Sequence, residues 1–341
     1  MLIVWGLLLT ISILAGAAIR FCVVFPRQPS TAALPPLDDD SRAAALDLET
    51  HIRAVASGPH NLAHPDALEA SAAYIEATLH GFGYTPVPQT FRVGKSDVRN
   101  IEVVIEPPAP MSSVETLVIG AHYDSADDFP GANDNGTGVA ALLELARVLH
   151  SAKTTRRLRL VFFVNEEHPY GKTPDMGSFR HANAMRERRE NIIGMLALET
   201  LGHFSHEPGS QRFPFPFGLL YPNRGNFIAF VGMLGARTLV NRLVYTFRAG
   251  SSFPAIGAVA PSFIEGADLS DHWAYDHFGY PACMVTDTAP FRNPFYHSQR
   301  DTPDTVDYAN LARVTAALAT MIQTLAESPA IGTAQLETAT S

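Results

Sequence analysis

Three short, almost wholly apolar runs in this chain each end on residues that bind cations. Residues 116–121 (TLVIGA) run into His122-Tyr123-Asp124, residues 158–164 (LRLVFFV) into Asn165-Glu166-Glu167, and residues 192–198 (IIGMLAL) into Glu199. Runs of this kind are expected for strands buried on both faces. Between the first two, residues 139–149 (VAALLELARVL) read as a helix whose start is marked by Asn135-Gly136-Thr137-Gly138. Residues 67–79 have helical composition and are ended by Gly81 and Gly83, and residues 282–285 read as a further buried strand. Tyr308, Leu311, Thr315, Leu318, Ile322 and Leu325 share one helical face, with Asp304 or Thr305 as the expected cap. Strand and helix therefore alternate, which predicts an α/β fold: one domain with a mixed, mainly parallel sheet and helices on both faces. In such sheets ligands collect at the carboxyl ends of the strands, where the polar residues stand here.

The chain has 341 residues, 34 acidic and 25 basic, for a net charge of −9. It contains no basic run or stripe, so nucleic acid is not an expected partner. With only Cys22 and Cys283 there is no cysteine metal site, so any metal must be held by His and carboxylate. Residues 2–19 carry no charged side chain and Arg20 ends the run, so residues 1–25 are expected to be a membrane anchor or a signal segment. Ala15-Gly16-Ala17 resembles a cleavage site, although a basic leader is missing. Arg20 and Arg27 taken alone would put their side in the cytoplasm, but two charges are a weak bias. Either reading makes the protein membrane-anchored or secreted, extracytoplasmic in the periplasm or outside the cell. Residues 26–40 (PRQPSTAALPPLDDD) read as a Pro-rich extended linker, residues 41–328 as the folded domain and residues 329–341 as a polar tail. Residues 205–226, rich in Phe, Pro and Gly, fit no element and read as a long ordered loop near a pocket.

Taken alone, each polar piece has an ordinary alternative. His122 and Asp124 could be a surface loop pair, or a ring on metal with a carboxylate fixing its tautomer. Asp134, in GANDNGTG, could be a helix cap, although Asn135 or Thr137 could do that work. Adjacent Glu166 and Glu167 repel unless a cation or proton separates them, and on extended chain they point opposite ways. His297, before the last helix, is alone more often structural. Together they give two imidazoles and several carboxylates, a donor set that suits zinc, with cobalt or manganese as substitutes. A carboxylate shared by two metals permits a bridging water that is nucleophilic at neutral pH, and a glutamate free of metal supplies the general base.

The ordered motifs GAHYDS, GANDNGTGVAALLELAR, VFFVNEE, ALETLG, LSDHW, GYPACMVTDT and YHSQRDTPD resemble the two-zinc aminopeptidases of bacterial leucyl aminopeptidase type. Glutamate carboxypeptidase and the glutaminyl cyclases are relatives of that family. The resemblance runs over residues 71–325 and implies a zinc exopeptidase-like fold with two zinc ions per chain. It assigns one metal to His122, Asp134 and Glu199, and the other to Asp134, Glu167 and His297, with Asp134 bridging. Glu166 would be the catalytic base, Asp124 would orient His122, and Asp271 of Ser270-Asp271-His272 would belong to a supporting hydrogen-bond network. Glu199 departs from the best-known members, which often carry Asp there; the extra methylene changes its reach. The short interval from Asp124 to Asp134 speaks against the other large family of two-zinc exopeptidases and deacylases.

These readings predict hydrolysis of the first peptide bond of a peptide with a free N-terminus. The alternatives are glutaminyl cyclisation, dipeptide or acyl-amino-acid hydrolysis, and a binding ectodomain without activity. Cyclases of this kind work with one zinc, and their bridging-Asp turn lacks the Asp-Asn-Gly found at residues 134–136. Ectodomains of this kind usually lose metal ligands, whereas every expected position here carries a competent residue. Phe213, Phe215, Phe217 and Tyr221 could wall an apolar pocket or pack on the loop's own core.

Overall fold

A computed structural model describes residues 2–27, 29–30, 33–108, 114–215 and 217–328. The helices are α1 (Leu2–Val23), α2 (Asp39–Val55), α3 (Pro65–Gly81), α4 (Thr137–Leu149), α5 (Gly177–Glu187), α6 (Arg237–Gly250), α7 (His272–His277), α8 (Ala289–Arg292) and α9 (Tyr308–Glu327). The strands are β1 (Val87–Val93), β2 (Ser96–Ile105), β3 (Thr116–His122), β4 (Arg157–Phe163), β5 (Ile192–Glu199), β6 (Ile228–Met233), β7 (Ala255–Ala260) and β8 (Ala282–Thr286). They form one sheet in the order β1-β2-β4-β3-β5-β8-β6-β7. Its centre, β4-β3-β5-β8, is parallel; the β1–β2 and β2–β4 pairs and the β6–β8 pair are antiparallel. The mixed, mainly parallel α/β architecture expected from the sequence is the one observed.

Alternation along each strand sorts its side chains into two cores. Leu117, Ile119 and Ala121 of β3 join the larger one, with Leu142 and Leu145 of α4, Leu48 and Ile52 of α2, and Leu318 and Ile322 of α9. Val118 points to the opposite face with Val161 and Phe163 of β4, Met185 of α5 and Tyr275 of α7. Both faces are thus covered, which is why the central strands read as unbroken apolar runs. Gly120 is required where it stands, because a Cβ there would lie 2.2 Å from the Phe163 ring.

Several boundaries differ from the sequence reading. The last helix is capped by Asp307, whose carboxylate accepts the Asn310 N–H at 3.0 Å, rather than by Asp304 or Thr305. Those two lie in a short 3-10 turn, Pro303–Thr305, one step earlier in the chain. The membrane anchor expected over residues 1–25 is not supported: among the described residues no helix is long and apolar enough to cross a membrane. Residues 2–23 form a helix. Phe25, at the end of the segment expected as an anchor or signal, is buried, and Leu34, in the extended linker expected over residues 26–40, packs against the main core. Arg248 donates to the Pro26 carbonyl at 2.8 Å and Arg313 to the Pro35 carbonyl at 2.5 Å. The polar tail, residues 329–341, lies outside the described residues.

Leu142 is fully buried between α4 and the sheet, so Leu142→Ala is expected to cost roughly 2–5 kcal/mol of stability. Denaturant unfolding checks this, and a change under about 1 kcal/mol would contradict the packing described.

Candidate metal centre

Because β4, β3 and β5 run parallel and side by side, their carboxyl ends open onto one edge of the sheet. His122 is the last residue of β3 and Glu199 the last of β5, while Glu166 and Glu167 stand three and four residues past Phe163, the end of β4. Asp134 enters from the segment Ala132–Gly136 at the start of α4, where the Asp134–Asn135 peptide is cis. His297 arrives from the turn before α9. Residues far apart in sequence therefore meet in one space.

The distances define that space. His122 Nε2 lies 3.4 Å from Asp134 Oδ1, 3.3 Å from Glu199 Oε2 and 3.9 Å from Glu166 Oε2. His297 Nε2 lies 3.0 Å from Asp134 Oδ2 and 3.3 Å from Glu167 Oε1. Asp134 thus turns one oxygen toward each imidazole. His122 Nδ1 stands 3.1 Å from the Asp124 carbonyl oxygen, which can only accept. Nδ1 is therefore a protonated nitrogen, and Nε2 is the ring atom turned toward the carboxylates, free to meet a cation once its own proton is lost.

Three buried atoms here have no hydrogen-bond partner: His122 Nε2, Asp134 Oδ1 and Glu167 Oε1. Buried polar atoms are rarely left so, and a cation would engage all three. The triads His122–Asp134–Glu199, His122–Glu166–Glu167 and Asp134–Glu167–His297 each have donor atoms within 4.8 Å of one another. Nitrogen and carboxylate donors in this number fit a borderline divalent cation such as zinc.

The supporting residues explain how the loop is held. The Asp301 carboxylate accepts the N–H groups of Asn133 at 2.8 Å and Asp134 at 3.1 Å. Asn135 donates to the Leu198 carbonyl at 2.8 Å and accepts the Thr200 N–H at 3.1 Å, and Asn133 accepts the Gly202 N–H at 2.8 Å. Gly138 allows this approach, since a Cβ there would lie 2.5 Å from the Leu198 carbonyl oxygen. Ser270 donates to Glu199 Oε2 at 2.7 Å. Sequence reasoning did not single out Asn133, Ser270, Tyr296 or Asp301; Asn133 and Asp301 stand inside the motifs GANDNGTG and YHSQRDTPD, which were the available signal.

His122 Nδ1 meets both the Asp124 backbone carbonyl, at 3.1 Å, and the Asp124 carboxylate, at 3.6 Å. The carboxylate accepts the N–H groups of Glu166 at 3.1 Å and Glu167 at 3.2 Å, so it fixes the segment bearing both glutamates. Asp271 is buried, and burial pushes its carboxyl up to about 7 against His122 and Ser178, which pull it down.

Beyond Glu199 and Tyr296 opens a second, apolar chamber lined by Phe213, Phe217, Tyr221, Ile256 and Met284. Three of the four loop aromatics read from the sequence line it; Phe215 instead is 84% exposed.

Without a cation the charges crowd one another. Burial, then repulsion from Asp134, raises Glu167 to about 7, against attraction from His297. Burial also raises Glu199 to about 8, opposed by His122 and reinforced by Asp134, and it raises Glu166 well above the ordinary range despite His122. Burial works against protonated His297, but its bonds to Asp134 and Glu167 bring it up to about 11. Burial likewise opposes charge on Asp134, yet His122 and His297 hold its carboxyl below the ordinary range.

Against known proteins, residues 100–215 match the family described as Peptidase family M28. The chain is 34% identical over 304 residues to the uncharacterized protein YfbL of Escherichia coli K12, covering 86% of this chain and 92% of that one. It is 29% identical over 218 residues to a probable leucine aminopeptidase of Arthroderma otae, covering 58% of this chain and only 50% of the relative. The solved aminopeptidase from Aneurinibacillus sp. strain AM-1 superposes with a TM-score of 0.65 over 86% of this chain and 96% of that chain, at 17% identity, a likeness of fold.

The crowding has a sign. A carboxyl raised in the folded state binds more protons folded than unfolded, so its stability is complete below the ordinary value of 4.5 and is lost as pH rises through 7 to 8. His297, raised from 6.5, adds a loss in the same direction. Metal-free protein is therefore expected to melt at progressively lower temperature from about pH 5 to 8, and added zinc to remove most of that decline. Thermal melts at constant ionic strength check it; a metal-free Tm rising across that window contradicts the argument.

Proposed function

This chain belongs to peptidase family M28, and from that membership we propose that it removes residues one at a time from the amino end of peptides at a two-zinc centre. The observation that carries this reading is Asp134, which offers one oxygen beside His122 and the other beside His297. In the proposed assignment His122, Asp134 and Glu199 hold one zinc, and Asp134, Glu167 and His297 hold the other. Bound there, zinc would acidify the attacking water, bridging in this reading, and polarise the scissile carbonyl. Cobalt or manganese would serve as substitutes.

Glu166 is the proposed general base. It takes a proton from the attacking water as the oxygen bonds to the carbonyl carbon, then delivers it to the leaving nitrogen as the C–N bond breaks. Asp124 supports this by gripping the backbone N–H groups on both sides of the Glu166–Glu167 step. Carboxylates around the space suit a free α-ammonium group on the substrate. The apolar chamber running from Glu199 and Tyr296 supports a preference for a large apolar first residue. Export from the cytoplasm is part of the same proposal, supported by the uncharged run over residues 2–19. Recovery of the full-length protein outside the cytoplasm after fractionation is its expected result.

Glu166→Gln keeps shape and removes the base, so bound metal should stay near normal while kcat falls by roughly 10²–10⁴. Glu167→Gln should instead lose metal. Metal analysis beside rates on leucyl anilide distinguishes them, and swapped phenotypes would overturn the assignment of roles.

Acetylating the N-terminus of a peptide removes the charged amine and should lower kcat/KM at least about tenfold. Mass-spectrometric time courses on the free and acetylated peptide test this. Equal cleavage, or fragments from internal bonds, would reject the aminopeptidase reading.

A further inference from the structure

We infer that the N-terminal arm, residues 21–27, is a working part of the apolar side-chain chamber, with Phe25 as the positioning residue that sets the chamber wall from behind. This rests on the peptidase reading above, because it assigns the chamber to the substrate's first side chain.

The wall in question is β7, the last strand of the sheet, bonded on one side only, to β6. Such an edge strand has a free row of backbone groups and is the easiest part of a sheet to displace. Alternate residues Ile256, Ala258 and Ala260 face the chamber. Ala255 and Val259, on the other face, belong to the main core together with Phe25. Between them stands Gly257, and a Cβ on it would lie 2.7, 2.8 and 2.9 Å from three atoms of the Phe25 ring. The ring therefore rests directly on the strand backbone, closer than any other residue at 257 would allow.

Two arginines of α6 fasten the arm in that position. The Arg237 guanidinium lies 4.0 Å over the Phe25 ring and donates to the Val24 carbonyl. Arg248 donates to the Ala255 carbonyl at 2.7 Å and to the Pro26 carbonyl at 2.8 Å, so one side chain ties strand and arm together. From the chamber side, the Tyr221 hydroxyl donates to the Gly257 carbonyl at 2.5 Å. The edge strand is thus clasped at Gly257, between Phe25 behind and Tyr221 in front. Tyr221 itself stacks with Phe217 and lies tilted against Phe213 of the chamber. Loosening Phe25 frees the strand, and with it Ile256, Ala258 and the aromatic loop.

The wall matters only to substrates whose first side chain reaches it. Phe25→Ala in the full-length chain should lower kcat/KM on leucyl anilide at least about tenfold, mainly through KM, while alanyl anilide changes less than about threefold. Hydrogen exchange should accelerate in residues 213–221 and 255–260 but not in β3 or α4. Phe25→Leu, which keeps most of the apolar volume, should restore a large part of both readouts and stands in if the alanine variant does not fold. A parallel fall on both anilides, or wild-type exchange in residues 213–221 and 255–260 with unchanged leucyl activity, overturns the inference. If the wild type cleaves neither anilide, the peptidase reading fails, and the exchange pattern alone still decides whether the arm holds the wall.

Discussion

Four carboxylates and two imidazoles share one largely buried space at the carboxyl edge of the sheet, and the rest of the structure is arranged around that crowding. Two unit charges 4 Å apart repel by roughly 4 kcal/mol at an effective dielectric constant near 20. A hydrogen bond to a charged group returns only about 1.5–3 kcal/mol. The N–H groups aimed at Asp124 and Asp301 therefore position the loops but do not offset the clustering of Glu166, Glu167, Glu199 and Asp134. The orphaned atoms His122 Nε2, Asp134 Oδ1 and Glu167 Oε1 mark where a cation held by these residues would offset it.

Much of this was legible in the sequence because buried parallel strands leave an unambiguous trace. Residues 116–121, 158–164 and 192–198 carry too little polar alternation to face water, so their ends had to form a common edge. The chelating residues then followed by adjacency. What stayed hidden was non-local. Asp301 reads as one of many surface acids until it is found beneath the Asn133–Asp134 backbone, and nothing near Asp124 in the chain reveals that its carboxylate grips the glutamate segment. The β1–β2 hairpin escaped because its strands mix exposed and buried positions; β6 and β7 are apolar and largely buried, but each is only six residues long with a glycine inside. The N-terminal run misled in part: its low charge suggested a segment apart from the domain, whereas Phe25 belongs to the core.

The charged space and the apolar chamber stand on different parts of the sheet. The clustered carboxylates and His122 stand at the covered centre, β4-β3-β5, where each strand has a neighbour on both sides. The chamber for a side chain stands toward the edge, on β6, β7 and β8 and the aromatic loop, where one strand has a single neighbour. Glu199 and Tyr296 belong to both, so a side chain seated in the chamber lies beside the charged space rather than within it. This division lets the apolar wall vary without disturbing the carboxylates.

The central claim is that Asp134 is shared between two cations. Elemental analysis of zinc bound to the wild type and to Asp134→Ala, after metal removal and reloading, tests it most directly. The account predicts two zinc ions per wild-type chain and fewer than one in the variant, with the fold retained. One zinc per wild-type chain, or two retained by the variant, would contradict it.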